Sequence, residues 1–183
     1  MIMNTSAKQH ITLLVTGPIG SGKSEVCSYL SSKGIPVYDC DSRTKMLYSL
    51  VPGLKCDIEC ALGIRWEQIG IIFEDEAKRK TLESIVYPLL SEDIRSWKQN
   101  NASHSLLVVE SALALSRSVF DGLWDKVLMV DAPYELRVQR NPKAAERSHL
   151  QKFDLQKVDY IIENDSDINE LINKTEQLLC KLI

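Results

Sequence analysis

A glycine-rich segment near the start of the chain has the residue types and spacing that bind phosphate. The segment Gly17-Pro-Ile-Gly-Ser-Gly-Lys-Ser24 fits the pattern G-x-x-x-x-G-K-[ST] and directly follows an apolar run at residues 11–16. Val26, Cys27 and Leu30 then recur with helical spacing. An apolar strand, a sharp turn and a helix are the context in which this pattern forms a phosphate-binding loop. The alternative is a glycine-rich turn with an incidental lysine.

The residues of this loop predict a site for ATP and Mg²⁺. Glycines without a Cβ let the backbone take positive φ, so that its N–H groups converge on phosphate oxygens at the positive end of a helix. Lys23 is placed to reach the β- and γ-phosphates, and the Ser24 hydroxyl to complete the coordination of Mg²⁺. The predicted nucleotide-binding residues are Gly20, Ser21, Gly22, Lys23, Ser24 and Glu25, with Ser24 as the metal ligand.

Three carboxylates follow apolar segments that have the pattern of strands. Asp39 and Asp41 come after a short run at residues 35–38, and Glu110 ends a buried run at residues 106–110. Alternation along a strand predicts that Asp39 and Asp41 point to one side. In a parallel sheet the carboxyl ends of the strands gather where ligands bind, so all three acids are candidate substrate contacts. Asp41 could instead cap the helix that begins near Ser42. Glu110 could instead contact Mg²⁺ through water, or cap the segment after it.

The bulk composition excludes several classes of protein. The chain has 183 residues, 44% of them hydrophobic, which is enough for one domain with a sizeable core. Its net charge of -3 provides no general basic field, so we expect no nucleic-acid partner. The five cysteines are scattered without a C-x-x-C pair, which favours reduced thiols and no zinc site. The chain has no membrane-length apolar run and no signal peptide, so we expect a cytoplasmic protein with no membrane partner. We further expect a monomer or a small homo-oligomer.

The alternation of strands and helices lapses between about residues 43 and 101. Helical patterns with charged faces replace it, which predicts a small helical insertion in a core formed by about 10–42 and 104–183. A buried stripe is predicted at Leu82, Ile85, Val86, Leu89 and Leu90. Pro88 interrupts this stripe, so we expect a kink or a break nearby.

A basic run lies between Arg137 and Lys157 and also contains Arg140, Lys143, Arg147 and Lys152. In a phosphoryl-transfer enzyme such a segment closes over the phosphates and neutralises the charge of the transition state. We therefore predict a short lid at about residues 140–157. The alternative is a solvated helix with acids interspersed, which is the usual outcome for a run of charges.

Taken in order along most of the chain, these motifs resemble those of the dephospho-coenzyme A kinase family of P-loop kinases. The features that carry the resemblance are T-G-x-I-G-S-G-K-S ending at Ser24, Tyr38-Asp-Cys-Asp41, L-E-x-I-x-x-P-L at residues 82–89, Val109-Glu-Ser-Ala-Leu113, Val127-Leu-Met-Val-Asp-Ala-Pro133 with Arg137 and Arg140, and V-D-Y-I-I-x-N at residues 158–164.

The resemblance implies a single α/β domain over residues 1–183, with the three-layer P-loop kinase fold. A five-stranded parallel sheet is flanked by helices, the insertion receives the acceptor, and the lid is short. The implied reaction transfers the γ-phosphate of ATP to the ribose 3′-hydroxyl of dephospho-CoA, the final step in making CoA. Lys23, Asp41 and Arg140 are the implied catalytic residues, and Asp41 takes the proton of the attacking hydroxyl. The implied substrate contacts are Asp39, Asp41, Glu110 and Arg147. Arg147 with Gln151 resembles the R-x-x-x-Q of the family.

The chain departs from the family pattern at several places. Tyr87 replaces the usual His before the proline, Ser116 lies near a usual Glu, and the lid and residues 63–73 are shortened. Two alternative functions therefore remain beside the first. One is a P-loop kinase for another small-molecule acceptor, and the other is an ATP-binding protein with weakened catalysis.

Overall fold

The computed structural model describes residues 10–147, 151 and 153–183. Within these residues five strands form one parallel sheet in the order β2-β3-β1-β4-β5. The strands are Ile11–Thr16 (β1), Val37–Asp39 (β2), Leu106–Glu110 (β3), Lys126–Asp131 (β4) and Tyr160–Glu163 (β5). The α-helices are Lys23–Ser32 (α1), Cys40–Leu50 (α2), Leu54–Leu62 (α3), Glu76–Asn100 (α4), Tyr134–Arg140 (α5), Lys143–Arg147 (α6) and Ile168–Leu182 (α7).

Helices cover both faces of the sheet, because the strands are apolar on both sides. Leu14 and Val109 point into a core shared with α2, α3 and α4. Their neighbours Leu13, Val15 and Val108 point into a second core shared with α1 and α7. This alternation makes each central strand a nearly continuous apolar run, as expected for a parallel sheet with two covered faces. The predicted three-layer fold with a five-stranded parallel sheet is confirmed.

The segment predicted as a helical insertion consists of helices joined by short turns. It consists of α2, α3, a 3-10 helix at Trp66–Phe73, and α4. Its buried residues join the core on one face of the sheet, where Ile58 and Ile94 are fully buried. In the part of the chain described here, no helix is both long and apolar enough to cross a membrane.

Pro88 does not break the long helix, so of the expected kink or break, the break is wrong. Residues 76–100 form one continuous helix, and Asp75 caps its start by accepting a hydrogen bond from the Lys78 amide at 3.0 Å. Pro88 is exposed, so its ring faces solvent while the buried stripe continues past it from Val86 to Leu90 and Ile94. Packing on both sides of the proline offsets the lost backbone hydrogen bond.

The turn that carries the two aspartates differs from the sequence expectation. Strand β2 ends at Asp39 and α2 begins at Cys40, so Asp39 and Asp41 do not lie on one strand. The helix cap is Asp39, whose carboxylate accepts from the amides of Asp41 at 2.9 Å and Ser42 at 3.3 Å. The hypothesis that Asp41 is the cap is therefore wrong. A helix that starts two residues early moves the capping position to Asp39 and leaves the Asp41 carboxylate free.

Candidate active site

The loop between β1 and α1 is shaped by three glycines with positive φ. Gly17, Gly20 and Gly22 have φ of 141°, 79° and 103°. A Cβ on Gly17 would lie 2.0 Å from the carbonyl oxygen of Val130, and one on Gly20 would lie 2.5 Å from that of Arg137. The loop therefore passes against the backbone of β4 and α5 with no space for side chains, and only glycine satisfies both constraints.

Lys23 reaches back over this loop. Its ammonium group donates a hydrogen bond to the carbonyl oxygen of Pro18 at 3.0 Å. Burial lowers the pKa of Lys23, and the nearby charges of Glu110 and Asp41 act in the opposite direction. Among the described residues, the Lys23 ammonium has this neutral carbonyl as its hydrogen-bond acceptor. A charged phosphate oxygen would accept a stronger hydrogen bond from it.

Ser24 and Glu110 bring two hard oxygen ligands together at the start of α1. The Ser24 hydroxyl donates to Glu110 Oε1 at 2.9 Å. Burial raises the pKa of Glu110, the Ser24 hydrogen bond lowers it, and the charge of Asp39 raises it. Asp39 lies opposite Glu110 in the register of β2 and β3.

These oxygens fit Mg²⁺, which prefers oxygen ligands and keeps several of its waters. A cation would relieve the desolvation that raises the pKa of Glu110. Across residues 10–147, 151 and 153–183, no group of three or more His, Cys, Asp or Glu could hold a metal ion. The residues therefore suit an ion that is held mainly by nucleotide phosphates and water, with Ser24 and Glu110 beside it.

Asp41 lies at the start of α2, next to the same cluster of charges. The protein atoms around its carboxyl group and the charge of Asp39 raise its pKa, whereas Lys23 and Lys45 lower it. Asp41 is solvent-exposed, so water screens part of this effect. The result is a carboxylate that is more basic than an ordinary aspartate and lies within the electrostatic influence of Lys23.

A cavity of about 570 Å³ opens beside the phosphate-binding loop. Its loop side contains Gly20, Gly22, Lys23, Ser24 and Glu25, and its other side contains Arg140, Asn141, Asn164, Ser166 and Ile168. The cavity brings Arg140, at the end of α5, to the loop as the sequence predicts. Arg140 Nη1 also donates to the Asn164 carbonyl oxygen at 3.2 Å.

Arg147 and Gln151 have different neighbours in this structure. The Arg147 guanidinium lies 3.9 Å from the centre of the Phe73 ring, at the end of the 3-10 helix, so it contacts the insertion. The Gln151 side-chain oxygen accepts from the Ile19 amide at 2.9 Å and so contacts the loop. Lys152 and residues 148–150 of the predicted lid, like residues 1–9, lie outside the described residues.

Asn164 is a site residue that sequence reasoning missed. Its side chain is buried and donates from Nδ2 to the carbonyl oxygen of Ser21 at 2.8 Å. A Cβ on Gly22 would lie 2.3 Å from the same Nδ2 atom. The available signal was a polar residue directly after a strand, at the edge where ligands gather. In the sequence analysis Asn164 appears only as the final residue of the motif V-D-Y-I-I-x-N.

Two departures from the family pattern involve α4: Tyr87 lies on this helix, and Ser116 is linked to it through Arg117. The Tyr87 ring packs on Phe120, with 5.1 Å between ring centres. Ser116 accepts a hydrogen bond from Arg117 at 2.9 Å, and Arg117 in turn binds Glu83 on α4 through two hydrogen bonds. Tyr87 and Ser116 therefore have defined packing and hydrogen-bonding partners.

Comparison with known proteins decides the family. A family model described as dephospho-CoA kinase matches residues 65–170. Dephospho-CoA kinase from Porphyromonas gingivalis is 36% identical over 139 residues, which cover 71% of this chain and 68% of the relative. The chain belongs to the dephospho-CoA kinase family. Dephospho-CoA kinase from Frankia casuarinae is 31% identical over 187 residues, covering 91% of this chain and 81% of the relative. The resemblance stated from the motifs is confirmed, as is the prediction of a kinase.

Solved structures share the fold of this chain. TT1252 from Thermus thermophilus has a TM-score of 0.76 at 26% identity, over 96% of this chain and 100% of that chain. Dephospho-CoA kinase from Campylobacter jejuni has a TM-score of 0.60 at 19% identity, over 93% of this chain and 96% of that chain. Shikimate kinase from Acinetobacter baumannii, in complex with shikimate, has a TM-score of 0.56 at 19% identity, over 95% of both chains. The last two likenesses show the P-loop kinase fold alone.

We predict that Asn164→Ala weakens binding of ATP with Mg²⁺ by about tenfold. The substitution leaves the buried Ser21 carbonyl without its donor and frees the loop, and the cost of one such group is about 1–3 kcal/mol. Isothermal titration calorimetry with purified protein measures the effect.

A matched control is Asn101→Ala, because Asn101 Nδ2 also donates to a backbone carbonyl, that of Trp97, at 2.8 Å. The Asn101 side chain lies at the end of α4, and its removal should leave the affinity for ATP unchanged. Equal affinities for the Asn164 variant and the wild type would contradict the role of Asn164 as a support of the loop.

Proposed function

We propose that this chain transfers the γ-phosphoryl group of ATP to the ribose 3′-hydroxyl of dephospho-CoA, which completes CoA. The chain belongs to this family, and the observation that carries the proposal is how its charged side chains are arranged at one edge of the sheet. There Lys23 lies on the loop, Ser24 binds Glu110, and Asp41 is free of the helix cap. A donor site and a candidate base adjoin one another, which is the arrangement that phosphoryl transfer needs.

On the donor side, we assign the cavity of about 570 Å³ to ATP. The loop amides and Lys23 hold the β- and γ-phosphates, and Arg140 neutralises charge from the opposite wall. Mg²⁺ bound with the nucleotide supplies further neutralisation of the charge that develops on the phosphate oxygens. Ser24 and Glu110 are the residues that would hold this ion, directly or through water.

On the acceptor side, we assign Asp41 as the general base and the helical insertion as the surface that receives dephospho-CoA. Asp41 accepts the 3′-hydroxyl proton while the hydroxyl oxygen bonds to the γ-phosphorus. The bond from that phosphorus to the β–γ bridging oxygen breaks, and ADP leaves. The raised pKa of Asp41 favours this proton transfer. We also assign Asp39, Glu110 and Arg147 to the acceptor. Asp39 and Glu110 lie opposite each other at the ends of β2 and β3, and Arg147 contacts Phe73 of the insertion, which supports this assignment.

An acceptor assay tests the function. ADP release is coupled to a spectroscopic readout with dephospho-CoA and with a panel of nucleosides and sugars that includes shikimate, and mass spectrometry identifies the product. The Lys23→Ala variant, which keeps the glycines that shape the loop, controls for contaminating kinases. Turnover with dephospho-CoA alone supports the proposal. Turnover with another acceptor, or ATP binding without turnover, would replace it with one of the two alternative functions.

We predict that Asp41→Asn lowers kcat by about 10²–10⁴, the usual contribution of a general base, while the KM for ATP stays within about threefold. The Asp39 cap is retained, so α2 should still form. Steady-state kinetics with varied ATP measures both constants. Glu170→Gln, which removes another exposed acid from the first turn of a helix, serves as the control. Equal losses in kcat and in ATP affinity would show a structural role for Asp41 instead.

We predict that Asp39→Asn moves the acid limb of the kcat–pH profile to lower pH. The charge of Asp39 raises the pKa of Asp41, so its removal lets Asp41 stay deprotonated at a lower pH. Asparagine caps a helix as well as aspartate does, which separates the effect of charge from that of capping.

The profile of kcat from about pH 3 to 8 measures this shift, because this range begins below the ordinary pKa of aspartate, about 3.9. Asp75→Asn is the matched control, because Asp75 caps α4 in the same way. An acid limb that stays in place in the Asp39 variant would exclude this coupling.

A further inference from the structure

One carboxylate on α4 joins both sides of the turn that carries Asp41. Asp93 accepts two hydrogen bonds from the Arg43 guanidinium, one from Nε to Oδ2 at 2.9 Å and one from Nη2 to Oδ1 at 2.7 Å. The Tyr38 hydroxyl donates to Oδ2 of the same carboxylate. Tyr38 precedes the turn on β2, and Arg43 follows it on α2. The turn is therefore attached to α4 at both of its ends.

These contacts are partly buried, with the side chains of Arg43 and Asp93 32% and 21% exposed. Tyr38 is 1% exposed, and its ring centre lies 5.3 Å from that of Trp97 on α4. The Arg43 guanidinium lies 5.7 Å from the centre of the Tyr38 ring. The hydrogen bonds from Arg43 lower the pKa of Asp93, so this carboxylate stays ionised at neutral pH. Paired charge-assisted hydrogen bonds of this kind fix geometry better than exposed ion pairs do.

The side chain of Asp41, by contrast, has no hydrogen-bond or ion-pair partner within residues 10–147, 151 and 153–183. Among the described residues, no hydrogen bond or ion pair involves its carboxylate, and only its amide is bound, by Asp39. A free carboxylate suits a base that must bind a substrate hydroxyl. Its position then depends on the backbone of the turn, and the turn depends on what holds its two ends.

We propose that Asp93 is a positioning residue for phosphoryl transfer, which holds Asp41 in place through Tyr38 and Arg43. This inference rests on the proposed role of Asp41 as the base. Because Asp93 belongs to the long helix of the insertion, the same contacts tie the acceptor-binding segment to the carboxylate that activates the acceptor. Phosphoryl transfer depends strongly on such alignment.

The first test compares Asp93→Ala with Asp159→Ala. Asp159 is a matched control, since it also joins two donors, Lys126 Nζ and the Val127 amide, each at 2.8 Å. It does so at the start of β4, at the end of the sheet opposite the site. Asp93→Ala should lower kcat by about 10- to 100-fold and leave the KM for ATP within about twofold, because misplacement of a reacting group has this cost. The control should lower the melting temperature without this loss of kcat.

A double-mutant cycle then tests the route. Tyr38→Phe and Arg43→Ala should each lower kcat, but neither should add to the loss in a protein that already carries Asp93→Ala, because both act through that carboxylate. Full additivity would overturn the proposal. So would an Asp93→Ala variant that melts at a lower temperature with unchanged kcat, or one whose ATP affinity falls as much as kcat.

Hydrogen exchange provides a readout without turnover. In Asp93→Ala the amides of Asp41 and Ser42 should exchange faster than in the wild type, while the amides of β3 and of the phosphate-binding loop stay protected. Unchanged exchange at Asp41 and Ser42 would overturn the proposal. A wild type that does not phosphorylate dephospho-CoA would instead count against the proposed function, and the exchange result would still decide what Asp93 does.

Discussion

The site depends on how closely the phosphate-binding loop approaches its neighbours. The loop backbone lies against the carbonyl of Val130 on one side and that of Arg137 on the other, at distances where a Cβ would overlap an oxygen. A loop without side chains at these points can turn sharply and keep its amides directed to one region. The path of the loop is therefore constrained from outside, by the backbone of β4 and of α5.

Side-chain amides complete this support. Asn164 donates to a loop carbonyl and Gln151 accepts from a loop amide, so that the loop is held by partners of opposite polarity. They come from two separate segments that follow α5. The loop is thus stabilised by residues more than a hundred positions away in sequence. This explains why a short local motif needs a whole domain to become a binding site.

A balance of charge governs the other half of the site. Lys23 lies among Asp41 and Glu110, and Asp39 adds a third carboxylate beside them. Desolvation raises the pKa of the two acids and lowers that of the lysine, so all three charges are less stable than in water. In the proposed function each of them would gain a partner: Lys23 a phosphate, Glu110 the cation bound with the nucleotide, and Asp41 the acceptor hydroxyl. These contacts would offset the electrostatic stress of the free site.

The sequence alone determined the chemistry of the donor side, because a strand, three glycines, a lysine and a serine act through local backbone geometry. Its apolar patterns also predicted strands and helices, since periodicity is a local property, whereas the layers of the fold were implied by the resemblance to the family. It failed where packing outweighed local preference: α4 continues past Pro88, and α2 begins early enough to make Asp39 its cap.

Only the tertiary structure decided which distant residues meet. It brought Asn164 to Ser21 and Asp93 to Tyr38 and Arg43, through contacts that span 143, 55 and 50 positions. Contacts of this range depend on the three-dimensional path of the chain, and no periodicity in the sequence encodes them. For this reason the motifs identify the reacting groups, while the packing of α4 and the end of β5 sets where those groups lie.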